Sequence, residues 1–202
     1  MYPFNHKRGQ RIQTDARGVA LDRSFLAHYN IPVASAYGAK PQGISPQFTD
    51  VGAPLDITTG LYTMPHPRNI TATAGGTGGD IKAIQVTVHG VNVAGAAISE
   101  ILPVFTVDTP GTVQGNKIFA QVTRVQIPAH DGTGATTSIG WGDKLGLPYK
   151  LTHNTVLAAF LNNAREAVAP TVTVSPTAIE GNSVLLSSAL ADSQPVDVYL
   201  IV

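Results

Sequence analysis

The chain has 202 residues, of which 43% are hydrophobic and only 13% are charged, and its thirteen basic and thirteen acidic residues cancel at neutral pH. The zero net charge gives no overall field that would draw the chain to nucleic acid or to an acidic membrane. The absence of cysteine excludes disulfides, thiolate metal sites and cysteine nucleophiles. The charged share is about half the usual one, which favours a surface partly covered by other chains over a neutral, polar monomer.

Residues 1–60 are predicted to form an extended N-terminal arm. Four prolines between residues 32 and 54 exclude long helices and central strands, yet the segment is too apolar for a disordered tail. Such an arm is expected to lie along a surface, either that of its own domain or that of a neighbouring subunit. The candidate partner-binding residues of the arm are Arg8, Arg11, Phe25, Tyr29, Tyr37 and Phe48.

Residues 61–150 are predicted to form a β module. Its clearest strand lies around residues 84–90, where Ile84, Val86 and Val88 alternate with polar side chains, as in a strand with one buried face. Glycine-rich stretches at 75–79 and 131–134 indicate hairpin turns. The other strands are predicted at 68–74, 97–107, 117–127 and 136–141.

The predicted strand 117–127 contains a slip in its apolar phase. Ile118, Ala120 and Val122 alternate in one phase, and Val125 and Ile127 alternate in the other. One extra residue absorbed near position 123 would keep the same face inward, so the pattern predicts a β-bulge there.

Residues 151–202 are predicted to form a C-terminal segment that packs on the module. Apolar residues three and four apart predict a helix within 151–169, with Pro170 as its end, although a strand is an open alternative from residue 152 to 159. Strands are predicted at 171–174, 183–186 and 196–202. Whether the segment is a separate domain is left open.

No catalytic constellation is recognised in the sequence. The six histidines have no metal-ligand spacing, and Asp143 with Lys144 is better suited to fixing a loop than to acid–base work. A site combining His66, His89 and an acidic residue is a minor alternative. Trp141, flanked by two glycines, could be a surface anchor for a partner, although a core position is the more common outcome. We therefore expect a non-enzymatic protein without cofactor or metal.

Five stretches of the module resemble small virion proteins of tailed bacteriophages, first of all capsid decoration (cement) proteins. They cover residues 67 to 150 discontinuously and read PRNITATA (67–74), IQVTVHGVNVAG (84–95), AISEIL (97–102), GNKIFAQVTRVQIP (115–128) and IGWGDKLGLP (139–148). The resemblance implies an all-β, antiparallel sandwich or barrel-like module.

The same resemblance implies a structural function on the surface of the phage head, after assembly in the host cytoplasm. The implied partners are the major capsid protein and further copies of the chain, with a homotrimer favoured, and neither nucleic acid nor membrane. A tail-tube, connector or head-fibre component is the alternative, and a carbohydrate-binding head fibre would use Trp141 as part of a sugar platform.

Overall fold

The computed structural model describes residues 11–13, 20–22, 24–192 and 194–202. Within them the chain forms sixteen β-strands and two short 3₁₀ turns, Gly78–Asp80 and Ile179–Gly181. The strands are Arg11–Gln13 (β1), Ala20–Asp22 (β2), Leu26–Ile31 (β3), Lys40–Thr49 (β4), Leu55–Ile57 (β5), Arg68–Gly76 (β6), Thr87–Val91 (β7), Ala97–Ile101 (β8), Gly111–Phe119 (β9), Gln121–Ile127 (β10), Ala135–Gly146 (β11), Val156–Leu161 (β12), Ala164–Arg165 (β13), Thr171–Thr173 (β14), Ser183–Leu185 (β15) and Val196–Ile201 (β16).

The described strands pair in antiparallel fashion, and the predicted all-β, antiparallel fold class is confirmed. A central sheet has the order β14-β15-β11-β6-β9, with β4 also paired to β11. A cover sheet has the order β5-β10-β7-β8, and a terminal sheet has the order β13-β12-β16-β3. The hairpin β1-β2 stands apart from these three sheets.

The main core lies between the cover sheet and the central sheet. Ile84, Val86 and Val88 are buried in it, as their alternation predicts, and they meet Ile70 and Ile139 of the central sheet. Residues 81–86 precede β7 and are joined to residues 102–108 by separate backbone hydrogen bonds and by a bond from Gln85 Nε2 to the Leu102 carbonyl, without forming a regular ladder. A proline at position 103 cannot donate to a ladder, so the regular pairing ends there and the strands are shorter than predicted.

The predicted bulge is confirmed. The register between β10 and β7 shifts between Val122 and Arg124, so that Val122 and Val125 both point into the main core. One extra residue in the strand restores the inward face after the slip.

The two glycine-rich connections are not hairpin turns, so that prediction is wrong. The connection after β6 leads from the central sheet to the cover sheet, and the connection after β10 leads back. Asp80 joins them, because its carboxylate accepts the Gly134 N–H (3.0 Å) and its carbonyl accepts the Asp131 N–H (3.2 Å). The glycines serve this close packing of two loops.

The helix predicted within 151–169 is also wrong, and the strand alternative holds. β12 and β13 form a hairpin whose turn residues Asn162 and Asn163 have positive φ of 51° and 63°. Two consecutive left-handed residues match the two-residue hairpin turns that follow the twist of a β-sheet. Val156 and Leu161 of β12 then pack against a second core, whereas Leu157 is exposed.

The second core lies between the terminal sheet and the end of the central sheet. Val198 and Leu200 of β16 meet Leu145 of β11 and Val184 of β15, and Leu147 is buried beside them. The C-terminal residues therefore supply strands to both the central and the terminal sheet.

Residues 24–60 of the predicted arm lie on their own chain. β3 pairs with β16, β4 with β11 and β5 with β10, so each of the three sheets receives a strand from it. Pro41 and Pro46 are both accommodated because β4 pairs only on one side. Contact of this segment with a neighbouring subunit stays a prediction.

Candidate interaction surfaces

The edges of the cover sheet and the central sheet are fastened to each other at β8 and β9. The Glu100 carboxylate accepts the backbone N–H of Asn116 (2.7 Å) and of Lys117 (3.2 Å) on β9. In return, the Lys117 ammonium donates to the Ser99 carbonyl on β8 (2.8 Å). Charged side chains on a sheet edge prevent pairing with another chain. We call this reciprocal pair the edge clasp.

Two opposing bulges flank the edge clasp. β9 and β11 each shift register opposite the start of β6, where Asn69 lies fully buried between them. The Asn69 Oδ1 accepts the Lys144 N–H (3.1 Å) and its Nδ2 donates to the Gly115 carbonyl (3.2 Å). A single amide thereby satisfies backbone groups that the two bulges release from the ladder.

Asp143 and Lys144 fix local structure, which matches the loop-fixing interpretation. Asp143 accepts the Ala39 N–H through Oδ1 (2.9 Å), and the Lys144 ammonium donates to Asn116 Oδ1 (2.6 Å). The two side chains hold different segments, so they do not form one acid–base pair.

Tyr29, His66 and Arg68 form a polar group in which His66 and Arg68 are buried and Tyr29 is partly buried. The Tyr29 hydroxyl bonds His66 Nε2 (3.1 Å), and Arg68 donates to the Gly142 carbonyl (3.3 Å). The Arg68 Nε and Nη2 have no hydrogen-bond acceptor among the described residues. Burial lowers the pKa of Arg68 to about 10, and the carboxylates of Asp143 and Asp192 oppose that shift. No sequence signal singled out this arginine.

Acid is expected to destabilise the fold through His66. Burial, followed by the charge of Arg68, lowers the pKa of His66 to about 4, whereas an unfolded histidine titrates near 6.5. As the pH falls from 6.5 to 4, the unfolded state takes up a proton first, so about 3 kcal/mol of stability present above pH 6.5 is lost. Urea unfolding at pH 7 and pH 4.5 should show that His66→Gln loses about 2 kcal/mol less than the wild type over this interval.

The comparison with His66→Gln isolates one histidine. Burial also lowers the pKa of His130, but that residue is common to both proteins and its contribution cancels. Equal losses of stability in the wild type and the variant would contradict the assignment to His66.

An apolar strip runs from the end of β8 into the following segment. Ile101 is 64% exposed, Val104 50% and Val107 51%, whereas Leu102 and Phe105 between them are buried in the main core. The chain carries no charged residue from Ile101 to Val107. Contiguous exposed apolar surface marks interaction sites more often than isolated exposed side chains do. We refer to Ile101, Val104 and Val107 as the apolar strip.

The aromatic residues proposed for partner binding are used within the chain. Tyr29 packs against the second core and Phe48 against the main core. Phe25 exchanges two backbone hydrogen bonds with Val202, and the Tyr37 ring lies 5.8 Å from the Lys40 ammonium. All four are partly buried, and the structure does not bring them together into one surface.

The two arginines proposed for the arm have no described side chains. Arg8 lies outside the described residues, and Arg11 lies in β1, of which only the backbone is described. Their role in binding stays a prediction.

Trp141 is not a surface anchor. Its ring is 6% exposed and packs on Gly43 of β4, where a Cβ would overlap the ring, and its Nε1 donates to the Gly38 carbonyl (3.0 Å). Of the flanking glycines, Gly140 leaves room for the backbone of β4 and Gly142 for the buried Asn69 side chain, so they indicate a crowded interior position. A sugar platform built on Trp141 is excluded by this burial.

The histidines do not converge on a metal or catalytic site in the described chain. His89 bonds Gln126 (3.0 Å) on the outer face of the cover sheet, whereas His66 is buried beside Tyr29. Among the described residues, no three His, Asp or Glu side chains are placed to hold a metal ion. The described residues also contain no helix that is long and apolar enough to cross a membrane.

Two open grooves lie outside these contacts. One, of about 420 Å³, runs beside β12 and β13 between Leu157 and Pro170. The other, of about 430 Å³, lies on the outer face of the cover sheet between Pro54 and Gln126. Neither groove contains a cluster of titratable side chains that would indicate catalysis.

No protein-family model and no curated protein matches this chain. The solved structures that align with it include the VP2 subviral particle of infectious bursal disease virus, at 11% identity and a TM-score of 0.23, and the T13 IBDV viral particle, at 12% identity and a TM-score of 0.21. The alignments cover 100% and 96% of this chain but 50% and 44% of those chains, so this chain spans about half their length. TM-scores this low support no argument about fold or function.

Proposed function

We propose that this chain is a structural, non-enzymatic protein of a tailed-bacteriophage particle that binds the capsid lattice as a decoration protein. The observation that carries the proposal is the apolar strip, an uncharged stretch that exposes three branched aliphatic side chains beside a closed sheet edge. The sequence resemblance over residues 67–150 supports the virion class. The low charge of the whole chain is consistent with a surface that other chains cover.

Attachment would come from burial of the apolar strip against a capsid subunit. Each branched aliphatic side chain contributes about 1.5–3 kcal/mol when it is fully buried, and the half-exposed side chains of the strip would add less. Association costs reduce this sum, so a single contact is weak. Repetition over a lattice makes weak contacts collectively strong when neighbouring copies are linked.

Residues 1–23 would add an electrostatic contribution. They carry five basic and two acidic side chains, with Arg8 and Arg11 among the basic ones. Because β3 begins at Leu26 and belongs to the terminal sheet, a deletion that tests this segment must end before Phe25. Removal of residues 1–22 should weaken attachment and make it less sensitive to salt.

A charge placed in the apolar strip should prevent attachment. Val104→Asp should reduce binding to particles that lack the protein by at least about tenfold, because a carboxylate would have to lose its water at the contact. The matched control is Val33→Asp, since Val33 is an exposed valine (47%) outside the strip. Co-sedimentation with the particles measures both variants, and equal binding of Val104→Asp and wild type would overturn the role of the strip.

A further inference from the structure

Most free edges of the central, cover and terminal sheets are short or blocked. β5 and β14 are three residues long and β13 is two, and short edge strands offer little to pair with. β4 contains Pro41 and Pro46, and the edge clasp closes β8 and β9. β3 is six residues long and contains no proline and no Asp, Glu, Lys or Arg. Among the strands with described side chains, it is the longest edge that neither proline nor the edge clasp blocks.

The hydrogen-bond register shows which groups of β3 are unused. Phe25 exchanges both backbone bonds with Val202, and β3 continues in this register along β16. In an antiparallel ladder, every second residue points its N–H and C=O away from the partner. Leu26, His28 and Asn30 therefore direct their backbone groups to the open side.

The side chains of these residues do not cover the edge. Asp197 accepts hydrogen bonds from His28 Nε2 (2.6 Å) and Asn30 Nδ2 (2.8 Å), which holds both side chains over their own sheet. The His28 ring also stacks on Tyr199, with 4.6 Å between the ring centroids and 6° between the planes. Leu26 stays 63% exposed. Among the described residues, nothing pairs with the outward backbone groups of this edge, which has an apolar side chain and no Asp, Glu, Lys or Arg.

We infer that two copies of the chain pair through β3. An antiparallel pair with its two-fold axis at His28 places His28 opposite His28, and Leu26 of one copy opposite Asn30 of the other. This register uses all three outward residues of each copy, whereas a shift by two residues leaves some of them unpaired. A two-fold contact presents the same patch from both subunits, so a strand that complements itself suits it.

The polar surroundings favour a second copy as the occupant. β3 contains no Asp, Glu, Lys or Arg, so no permanently charged side chain of one strand faces its copy, and the nearby Asp197 carboxylate is already bound within each subunit. Pairing would join two terminal sheets into one eight-stranded sheet and cover Leu26. This inference does not depend on the particle assignment.

A proline at His28 tests the pairing selectively. The His28 N–H points outward, so His28→Pro removes one donor of the new ladder and no bond to β16, which an edge strand tolerates. His28→Ala is the matched control, because it loses the same bond to Asp197 but keeps the N–H. Sedimentation equilibrium of the full chain should give dimers for wild type and His28→Ala, and a dissociation constant at least about tenfold higher for His28→Pro.

Hydrogen exchange on the wild-type protein provides a test that does not depend on a variant. In the dimer, the backbone amides of Leu26, His28 and Asn30 should exchange as slowly as those of Ala27 and Tyr29. Dilution to the monomer should speed up exchange at Leu26, His28 and Asn30 only. A monomeric wild type would overturn the inference. The same holds if the wild type is monomeric and residues 1–23 of the same chain protect these amides. A dimer or trimer that persists in folded His28→Pro would overturn it as well.

Discussion

Replacement of Asn182 by aspartate is expected to lower the free energy of unfolding by about 4 kcal/mol. Asn182 is fully buried, and its Oδ1 accepts the N–H groups of Leu151 (3.1 Å) and Ser175 (2.8 Å). Its Nδ2 donates to the carbonyls of Ser175 and Ala178, both at 2.9 Å, and to that of Ile179 at 3.4 Å. Aspartate would place a carboxylate oxygen against these carbonyls, in a position with no cation.

Asn154→Asp is the control for this change. Asn154 is exposed and uses only Oδ1, which accepts the Val156 N–H (3.0 Å), and a carboxylate can make the same bond. Urea unfolding at pH 7 should leave this variant within about 0.5 kcal/mol of the wild type. If Asn182→Asp lowers the free energy of unfolding by a similarly small amount, the hydrogen bonds of the Asn182 side chain to residues 151, 175 and 178 do not stabilise the fold as proposed.

Replacement of Gly140 by alanine is expected to cost about 3 kcal/mol, because the added methyl group meets backbone. Gly140 lies in β11 between β6 and β4, where a Cβ would overlap the carbonyl oxygen of Lys40 and lie 2.6 Å from the carbonyl carbon of Pro41. Backbone cannot rotate away as a side chain can, so β4 must separate from β11. Ile44 of β4, fully buried in the main core, would then lose part of its packing.

Gly111→Ala provides the comparison in another strand of the central sheet. Gly111 begins β9, and a Cβ there meets no atom within 4 Å. Alanine should be neutral or slightly stabilising at that position, because it restricts the unfolded chain. Thermal unfolding of both variants measures the difference. If Gly140→Ala unfolds at the temperature of Gly111→Ala, the close approach of β4 to β11 is contradicted.

The strands could be predicted where local pattern and burial agree. The alternation of Ile84, Val86 and Val88 identified a buried face, and the phase slip before Val125 identified a bulge, because side-chain direction in a strand has a strict period of two. Neither inference needed knowledge of the pairing partner.

The wrong sequence-based predictions concern segments whose structure is decided by pairing with distant strands. Only the two turn residues Asn162 and Asn163 indicate the hairpin, while the spacing of the apolar residues around them also suits a helix. Trp141 is buried because β4, about a hundred residues earlier in the chain, supplies Gly43 beneath its ring. Periodicity within one segment carries no information on which distant strand will cover it.

The candidate surfaces, too, are partly predictable from local sequence and partly set by long-range pairing. The uncharged run from Ile101 to Val107 can be seen in the sequence, but its exposure depends on Leu102 and Phe105 entering the core three residues apart. The edge clasp and the open edge of β3 could not be predicted, because the position of a strand in a sheet is set by the order of pairing. Which strands lie at the edges of the sheets is known only from the structure.

The central claim is that the chain is a structural component repeated over the capsid lattice. The most direct test is its copy number in purified virions, by quantitative mass spectrometry against the major capsid protein. A decoration protein is expected in near-stoichiometric abundance with the capsid protein. A few copies per particle would place the chain in the tail, the connector or a head fibre instead, and its absence from virions would contradict the virion assignment altogether.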